Sequence, residues 1–478
     1  MNESDLNELR ALLGVAGVVH APEDTARYLV DERRLYRGRA AVVLRPSTTA
    51  ALAAAVAWCH ARRLAMVPHG GNTGYCGGAT PDESGTQVVV SLERLNRLRQ
   101  LDAEAFTMTV EAVMTLAAGQ GPRRGAGPPL PLSMGSEGSA QIGGALSTNA
   151  GGLAVLRYGT ARDLVLGLEV VLPDGRIWNG LRGLRKDNTG YDLRHCFVGA
   201  EGSLGIITAA VLKLFPAQPR RETAWLGVDG LAAACRALSA LRRRLGDCMS
   251  SFEYVSAESL ALVLAEVPDT QAPAVDGDAY VLVEFSAGEE TALREPVEAA
   301  LQALLEAGIV RDAAVAQSET QRRAFWRLRE HIPAAEKALG GSVKHDVSVQ
   351  IDRLPLLEER ARDAVLARTP TARLSVYGHV GDGNLHFNVL APAHESAEPF
   401  KAAHGEAISA LVHGAAQSLE GSFSAEHGVG RLKRDLLVEA EGPVAMDLMH
   451  ALKAAFDPLG LMNPGKVLVP RQRADTRG

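Results

Sequence analysis

Glycine is concentrated in three stretches of the N-terminal half, and these stretches constrain the fold more than any other feature of the chain. In the first, residues 69–79, five glycines fall within nine residues. Such backbone costs conformational entropy, and it is favoured where the chain passes close to a ligand or turns several N–H groups into one concavity. The stretch follows a predicted strand at residues 64–68 and contains Asn72 and Thr73. It therefore indicates a phosphate-binding loop more than a flexible surface loop.

The second and third stretches, residues 132–152 and 187–207, are rich in small and hydroxyl-bearing residues. Separate stretches of this kind suggest one long ligand clasped between them. The first stretch matches neither the Gly-x-Gly-x-x-Gly dinucleotide fingerprint nor a phosphate loop ending in Gly-Lys-Ser/Thr. A nicotinamide-binding Rossmann domain and an NTPase are therefore both poorly supported.

The size and charge of the chain favour a large enzyme over a nucleic-acid or membrane protein. Its 478 residues suggest two or three domains, or one large bilobal enzyme, and a hydrophobic content of 46% is ample for a packed core. The 50 basic and 56 acidic residues give a net charge of -6. This balance gives no reason to expect a nucleic-acid or membrane partner.

The five cysteines show no Cys-x-x-Cys spacing, which favours buried thiols in a reducing compartment over a disulfide framework. The N-terminal residues are acidic and read as a first helix at residues 4–14, with Ser4 as its N-cap, and not as a signal peptide. No apolar run is long enough to predict a membrane span. We therefore expect a cytoplasmic location.

Predicted elements divide the chain into three parts. A strand at 41–45, a helix at 48–63 and the strand at 64–68 form a β-α-β beginning of a domain at residues 1–217. From residue 218, predicted strands at 224–228, 251–255 and 280–285 alternate with helices at 231–244 and 291–307, which indicates an α+β cap domain with an antiparallel sheet. We assign this domain to 218–421 and expect residues 422–478 to return to the first domain.

A hairpin predicted at residues 375–389 carries the main candidate for chemistry, since two β-rich runs flank a Gly-Asp-Gly-Asn turn. If His379 lies opposite His386, both imidazoles point to one face, where they can bind a metal. Further along, Glu426 and His427 add a carboxylate and another imidazole. We predict a metal site of His379, His386 and Glu426 with His427 beside it as a base. The alternative is a polar hairpin whose histidines are only hydrogen-bonded.

Upstream of the hairpin, residues 321–330 predict a charged helix that Pro333 ends or kinks. Residues 344–351 then alternate strictly between polar and apolar, so that Lys344, Asp346 and Ser348 share one face. A polar face on a strand that otherwise looks buried suggests the lining of a pocket. For any single arginine of the helix, a solvated surface is the better interpretation.

Four stretches, taken in order, resemble the FAD-binding domain of the vanillyl-alcohol oxidase and p-cresol methylhydroxylase superfamily. They are residues 68–79, 142–152 with 157–159, 167–175 and 185–207. The hairpin, Glu426-His427-Gly428 and the tail at 461–466 resemble the metal-containing D-2-hydroxyacid dehydrogenase branch of that superfamily, and the resemblance extends over nearly the whole chain from about residue 35. It implies an α+β, two-lobed flavoprotein with a p-cresol methylhydroxylase-type FAD-binding domain and an antiparallel-sheet cap that carries the substrate.

The same resemblance implies FAD, with its pyrophosphate on the first two glycine-rich stretches. Some relatives bond the flavin covalently through a histidine of the first loop, but here Asn72 follows the paired glycines and His69 precedes them, so we expect FAD to be non-covalent. The residues expected to bind FAD are Pro68, Gly70, Gly71, Asn72, Thr73, Gly74, Tyr75, Gly77, Gly78, Met134, Gly135, Ser136, Ser139, Ile142, Gly143, Gly144, Thr148, Asn149, Gly151, Gly152, Tyr158, Glu201, Gly202, Gly205, Ile206, Ile207 and Asn463.

The implied reaction is oxidation of a D-2-hydroxy acid, with D-2-hydroxyglutarate as first choice and D-malate or D-lactate as alternatives. A metal coordinated by two imidazoles and a carboxylate, zinc before iron, manganese or cobalt, acidifies the substrate hydroxyl. His427 then takes the hydroxyl proton as general base, and the C2 hydride passes to flavin N5.

Arg329 and Lys344 match the positions that hold the substrate carboxylate in similar enzymes, and Asn388 shares a strand face with His386. One departure concerns Pro333, because D-2-hydroxyglutarate members of the branch tend to carry a hydroxyl residue there. This departure bears on the choice of substrate and leaves the reaction class unchanged.

Two other functions stay open from the sequence: a metal-free flavin oxidase of a sugar or alcohol, and a zinc hydrolase whose glycine-rich loops are structural. The absence of a nicotinamide fingerprint favours an electron-transfer flavoprotein, a quinone or a dye over NAD as electron acceptor. A homodimer is a candidate assembly.

Overall fold

The computed structural model describes residues 1–120 and 129–470. The chain forms two compact units. The first comprises Met1–Gly152, Gly159–Pro216 and Glu426–Gly478, and the second comprises Leu153–Tyr158 and Ala217–Ala425. The short segment Leu153–Tyr158 belongs to the second unit because Ser251 donates to the carbonyl of Leu153, 2.5 Å away, and Arg157 donates to the carbonyl of Ser286 at 2.7 Å.

The α-helices of the described residues are α1 (Glu3–Leu13), α2 (Pro22–Thr25), α3 (Thr49–Ala61), α4 (Leu116–Gly119), α5 (Ile142–Ser147), α6 (Val155–Tyr158), α7 (Ala161–Leu164), α8 (Arg194–Phe197), α9 (Leu231–Leu245), α10 (Ala257–Glu266), α11 (Arg294–Glu306), α12 (Glu319–Glu330), α13 (Ile332–Ala338), α14 (Leu354–Arg368), α15 (Ala397–Gln417), α16 (Arg434–Ala440) and α17 (Pro443–Phe456). Within the described ranges, none of them is both long and apolar enough to cross a membrane.

The strands are β1 (Val18–Val19), β2 (Val42–Leu44), β3 (Met66–His69), β4 (Val88–Ser91), β5 (Leu98–Asp102), β6 (Thr107–Glu111), β7 (Val165–Val171), β8 (Ile177–Gly180), β9 (Ile206–Lys213), β10 (Arg220–Val228), β11 (Met249–Ser256), β12 (Ala279–Ala287), β13 (Asp312–Val315), β14 (Asp346–Ser348), β15 (Arg373–Gly378) and β16 (Asn384–Leu390).

The first unit contains two sheets. One has the strand order β1-β2-β4-β3, in which β2 and β3 both run parallel to β4. Helix α3 connects β2 to β3 and is capped by Thr48, whose hydroxyl accepts the N–H of Ala51. The other sheet, β5-β6-β9-β7-β8, is antiparallel. The predicted β-α-β beginning is therefore present, and β3 delivers the chain directly into the first glycine-rich stretch.

The second unit is built on a seven-stranded antiparallel sheet with the order β13-β10-β12-β11-β15-β16-β14. Side chains alternate across it: Phe252 and Tyr254 pack with α9, α11, α14 and α15, whereas Val255 and Tyr377 pack with α10, α12 and α13. Both faces of the sheet are thus covered by helices. The predicted mixture of helices and antiparallel sheet is confirmed.

Two local expectations have different outcomes. Helix α1 is capped by Asn2, which exchanges hydrogen bonds with Asp5, so Ser4 is not its N-cap and that prediction is wrong. The predicted break at Pro333 is present, because α12 ends at Glu330 and Pro333 stands in the first turn of α13, where its missing N–H is tolerated.

Candidate cofactor cavity and metal centre

A cavity that is partly open to solvent lies within the first unit. Its wall is formed by the loop after β3, the beginning of α5, the turn before β9, and His427. The first and second glycine-rich stretches therefore meet around one space, as the sequence predicts.

Glycines shape this cavity in two ways. A Cβ on Gly71 would lie 2.4 Å from the carbonyl oxygen of Ser139, so the absence of a side chain lets two segments of main chain touch. A Cβ on Gly74 or on Gly144 would meet no described protein atom within 4 Å, although both residues border the cavity. These two glycines leave room that a ligand can occupy.

Two polar side chains in the wall indicate that a ligand belongs there. Both ring nitrogens of His69 and the carbonyl oxygen of Gln141 are buried without a hydrogen-bond partner within residues 1–120 and 129–470. Burial lowers the pKa of His69 to about 4, so its ring is uncharged at neutral pH. Buried polar groups in native proteins normally have partners. FAD fits the donor and acceptor groups and the glycine-lined space of this cavity.

Replacing Gly71 by alanine should weaken FAD binding, since the added Cβ would collide with main chain that cannot swing away. Overpacking of this kind typically costs about 1–3 kcal/mol, so we expect about 5- to 150-fold weaker FAD binding by titration of the cofactor-free protein. Gly138→Ala is the matched control, because a Cβ there meets nothing within 4 Å. Equal FAD affinity in the two variants would contradict the close contact at Gly71.

The cavity separates the expected FAD-binding residues into two groups. Those in its lining are Pro68, Gly70, Gly71, Asn72, Gly74, Gly78, Gly143, Gly144, Thr148, Glu201, Gly202, Gly205, Ile206 and Ile207. Those outside its lining are Thr73, Tyr75, Gly77, Met134, Gly135, Ser136, Ser139, Ile142, Asn149, Gly151, Gly152, Tyr158 and Asn463.

Two asparagines of the second group hold main chain in place. The side-chain oxygen of Asn149 accepts from Thr160 and from the N–H of Arg162. Asn463 donates to the carbonyls of Gly78, 3.0 Å away, and Glu201, 2.8 Å away. Asn463 therefore ties together two segments that border the cavity.

Glu201 fixes the loop that carries His427. Its carboxylate accepts the N–H groups of Val429 and Gly430 at 2.7 and 2.8 Å. Burial raises the pKa of Glu201 to about 7, against the opposing effect of these two donors and of Lys433. On the other side of the loop, Cys76 donates its thiol hydrogen to the carbonyl of Gly428. The ring of His427 borders the cavity and meets the ring of Tyr75 edge-on, with centroids 4.9 Å apart.

In the hairpin, the predicted pairing of His379 with His386 is wrong. The strands pair Tyr377 with His386, and His379 lies beyond the end of β15 in a connection that closes at Gly383, where φ is +85°. This connection turns the imidazole of His379 back towards that of His386. The two imidazole centroids are 5.7 Å apart, so the rings meet through the loop and not through cross-strand register.

His379 and His386 are buried. Glu426 directly follows Ala425, the last residue of the second unit. The ligand atoms of these three residues, His379, His386 and Glu426, lie within 4.8 Å of one another. Two imidazoles and one carboxylate form a donor set that suits a divalent metal such as zinc and leaves coordination positions for a substrate. The residues present therefore fit a catalytic metal.

Two buried carboxylates organise the cations expected to bind substrate. Glu253 accepts Nε of Arg329 at 2.9 Å and Nδ1 of His379 at 2.7 Å. Burial acts to raise the pKa of Glu253, but His379 and Arg329 outweigh it and hold the pKa at about 2. The four N–H groups on the Nη atoms of Arg329 are not used in this ion pair.

The second carboxylate, Glu336, is fully buried and accepts from three donors. They are Nζ of Lys344 at 2.6 Å, the hydroxyl of Ser342 at 2.9 Å and Nδ2 of Asn388 at 2.9 Å. The side-chain oxygen of Asn388 accepts the N–H of His345. Asn388 is therefore engaged by protein groups on both sides, whereas the ammonium of Lys344 has further hydrogens to donate.

Sequence reasoning missed His69, Gln141, Glu253 and Glu336. Gln141 had a signal, since a polar residue at the beginning of α5 directly precedes two glycines of the cavity. Glu253 had none, because both of its partners are distant in the sequence. Glu336 lies close in sequence to Ser342 and Lys344, but 52 residues separate it from Asn388.

Comparison with known proteins identifies both parts of the chain as domains of FAD-dependent proteins. A family model described as an FAD-binding domain matches residues 40–180, and one described as the C-terminal domain of FAD-linked oxidases matches residues 217–467.

Relatives match along almost the entire chain. The mitochondrial D-2-hydroxyglutarate dehydrogenase of Bos taurus is 38% identical over 471 residues, covering 98% of this chain and 84% of that protein. The D-2-hydroxyglutarate dehydrogenase of Xanthomonas citri is 36% identical over 447 residues, covering 93% of both chains.

Solved structures share the fold at low sequence identity. Alkyldihydroxyacetonephosphate synthase superposes with a TM-score of 0.75 at 16% identity, over 97% of this chain and 86% of its own. p-Cresol methylhydroxylase with substrate bound superposes with a TM-score of 0.71, also at 16% identity, over 98% of this chain and 97% of its own.

Proposed function

Since the chain belongs to the family of FAD-linked oxidases and is an FAD-dependent hydroxyacid dehydrogenase, we propose that its substrate is D-2-hydroxyglutarate and that it requires a divalent metal. The product is the 2-oxo acid. The observation that carries the proposal is the sequence Glu426-His427, in which one residue joins the cluster of two imidazoles and the next borders the cofactor cavity.

The groups that the protein would bind supply two kinds of chemistry. FAD, when bound, provides the acceptor for a hydride, and a divalent cation, when bound, lowers the pKa of a coordinated hydroxyl. Pro68, Gly70 and the other cavity-lining residues would hold FAD without a covalent bond, because Asn72 follows the paired glycines and its amide donates to the carbonyl of Val30. His379, His386 and Glu426 would hold the cation.

The proposed roles of the side chains follow from their charge and donors. His427 accepts the proton of the C2 hydroxyl, since a neutral imidazole is a suitable general base. Arg329 and Lys344 bind carboxylate, since the guanidinium and the ammonium keep donors beyond those given to Glu253 and Glu336. Because Arg329 and Lys344 both belong to the second unit, these two cations favour a substrate with two carboxylates. Asn388, engaged with Glu336 and His345, orients this region of the pocket.

We further propose that the electrons leave through an electron-transfer flavoprotein or a quinone and not through NAD. The sequence has no nicotinamide fingerprint in its glycine-rich stretches. All five cysteines are free, which is consistent with the proposed cytoplasmic location. A homodimer remains a candidate assembly.

The proposal is tested by anaerobic bleaching of the flavin absorbance near 450 nm. The purified protein is mixed with D- and L-2-hydroxyglutarate, D-malate and D-lactate. We expect D-2-hydroxyglutarate to reduce the flavin fastest and its L-enantiomer to leave it oxidised. Faster reduction by D-lactate would contradict the role of the second cation, and reduction by none of these acids would contradict the assigned substrate class.

A further inference from the structure

Glu253 occupies a position where a carboxylate is costly. It lies in the middle of β11, a strand whose eight residues are all buried, and its side chain is 1% exposed. An ionised group at such a position needs charged or hydrogen-bonding partners, and loss of one partner leaves the other charge buried and unpaired. The partners of Glu253 therefore show what its carboxylate is used for.

The two oxygens of Glu253 contact two different groups. Oε1 lies 2.7 Å from Nδ1 of His379, and Oε2 lies 2.9 Å from Nε of Arg329. Because an ionised carboxylate only accepts hydrogen bonds, Nδ1 of His379 carries the hydrogen, and Nε2 is the ring nitrogen with a lone pair for a metal. All three residues belong to the second unit.

Tyr377 makes a second connection between the same groups. The guanidinium of Arg329 lies over its ring, 4.7 Å from the centroid. The same ring lies 5.0 Å from the imidazole of His386, its cross-strand partner. Arg329 is thus connected to His379 through Glu253 and to His386 through Tyr377.

We propose that Glu253 is a positioning residue that couples metal binding at His379 to substrate binding at Arg329. This inference rests on the proposed function of both residues. A carboxylate that accepts Nδ1–H fixes the tautomer and the ring orientation of a metal-ligating histidine. Because the other oxygen holds Nε of Arg329, the same carboxylate sets where the remaining guanidinium donors meet the substrate. One side chain therefore fixes the metal ligand and the carboxylate-binding group relative to each other.

A second buried carboxylate on the same sheet provides a control for a purely structural role. Glu284 on β12 is 6% exposed and accepts from Nη1 of Arg322 at 3.0 Å and from Nε1 of Trp326 at 2.8 Å. Arg322 and Arg329 lie on the same helix, α12. Glu284→Gln therefore perturbs a buried carboxylate and its arginine outside the metal cluster, and it is the matched control for Glu253→Gln.

Glutamine at position 253 can serve only one of the two partners. Its amide has one accepting oxygen and one donating nitrogen, whereas Nδ1–H of His379 and Nε–H of Arg329 both require an acceptor. The test uses the FAD-containing enzyme. It measures the zinc dissociation constant without substrate, by competition with a chromogenic chelator, then KM and kcat for D-2-hydroxyglutarate, and the melting temperature.

We expect Glu253→Gln to weaken zinc binding about 10- to 100-fold, as is typical when the hydrogen-bond partner of a metal-ligating histidine is lost, and to raise KM as well. Glu284→Gln should lower the melting temperature and leave the zinc dissociation constant within about threefold of wild type. If Glu253→Gln binds zinc as tightly as wild type, the coupling is wrong while the proposed function stands. If the wild-type enzyme binds none of zinc, manganese and cobalt, both are wrong.

Arg329→Gln provides an independent test if Glu253→Gln does not fold. Arg329 is not among the three metal-ligating residues. The coupling nevertheless predicts weaker zinc binding in this variant, because Glu253 loses one of its two partners and holds His379 less firmly. An unchanged zinc dissociation constant in Arg329→Gln would overturn the inference.

Discussion

Replacing His427 by alanine should slow reduction of the flavin by D-2-hydroxyglutarate by about 10²- to 10⁴-fold, the usual contribution of a positioned general base. The variant loses the imidazole that borders the cofactor cavity. FAD should stay bound, because the rest of the cavity wall, from the loop after β3, the beginning of α5 and the turn before β9, is unchanged in this variant. Stopped-flow absorbance at 450 nm measures the rate, and the ratio of absorbance at 450 and 280 nm measures FAD content.

The control is His20→Ala, which removes an exposed histidine from the same unit. This variant should reduce its flavin at the wild-type rate. A rate for His427→Ala within about threefold of wild type, with full FAD content, would show that another group accepts the hydroxyl proton.

The features that the sequence predicts well are those with local causes. Pro333 breaks a helix because its ring and its missing N–H act within one turn. The glycine-rich stretch after β3 forms a cavity wall because a strand directly precedes it and Gly70 and Gly74 expose main chain to the cavity. In such cases the neighbouring residues already contain the physical reason.

The features that the sequence does not predict depend on which distant segments meet. Glu253 and His379 are 126 residues apart, and their contact follows from the pairing of β11 with β15. Gly71 is required because Ser139 packs against it, which no local spacing indicates. Polarity alone cannot separate a buried carboxylate with a function from a charged residue on a solvated face.

In the hairpin, His379 and His386 lie close together as expected, but through a geometry different from the expected one. Alternation places His379 and His386 on one face only if the strands stay in register across the turn. The real connection leaves β15 at Gly378 and closes at Gly383, so strand pairing stops before His379. The imidazoles meet because the loop turns back and because Glu253 holds Nδ1 of His379, which is a tertiary contact.

Removing the metal should slow flavin reduction by about as much as removing the base. A divalent cation held by His379, His386 and Glu426 would stabilise negative charge on the substrate oxygen by several kcal/mol; about 4 kcal/mol corresponds to about 10³-fold in rate. We therefore expect wild-type enzyme stripped with a chelator, and His386→Ala as isolated, to keep FAD and to lose about 10³-fold in the rate of flavin reduction by D-2-hydroxyglutarate. Metal content by atomic emission and stopped-flow absorbance at 450 nm test this directly.

Adding metal back separates a lost cation from a damaged fold. Zinc, manganese or cobalt should restore the rate of stripped wild type, but not that of His386→Ala, which lacks one of its three ligands. His394→Ala is the control, since it removes an exposed histidine of the same unit and should keep both metal and rate. Full-rate oxidation by metal-free wild type would contradict the metal requirement and would favour the alternative of a metal-free flavin enzyme, because the hydroxyl would then lose its proton to His427 without a Lewis acid.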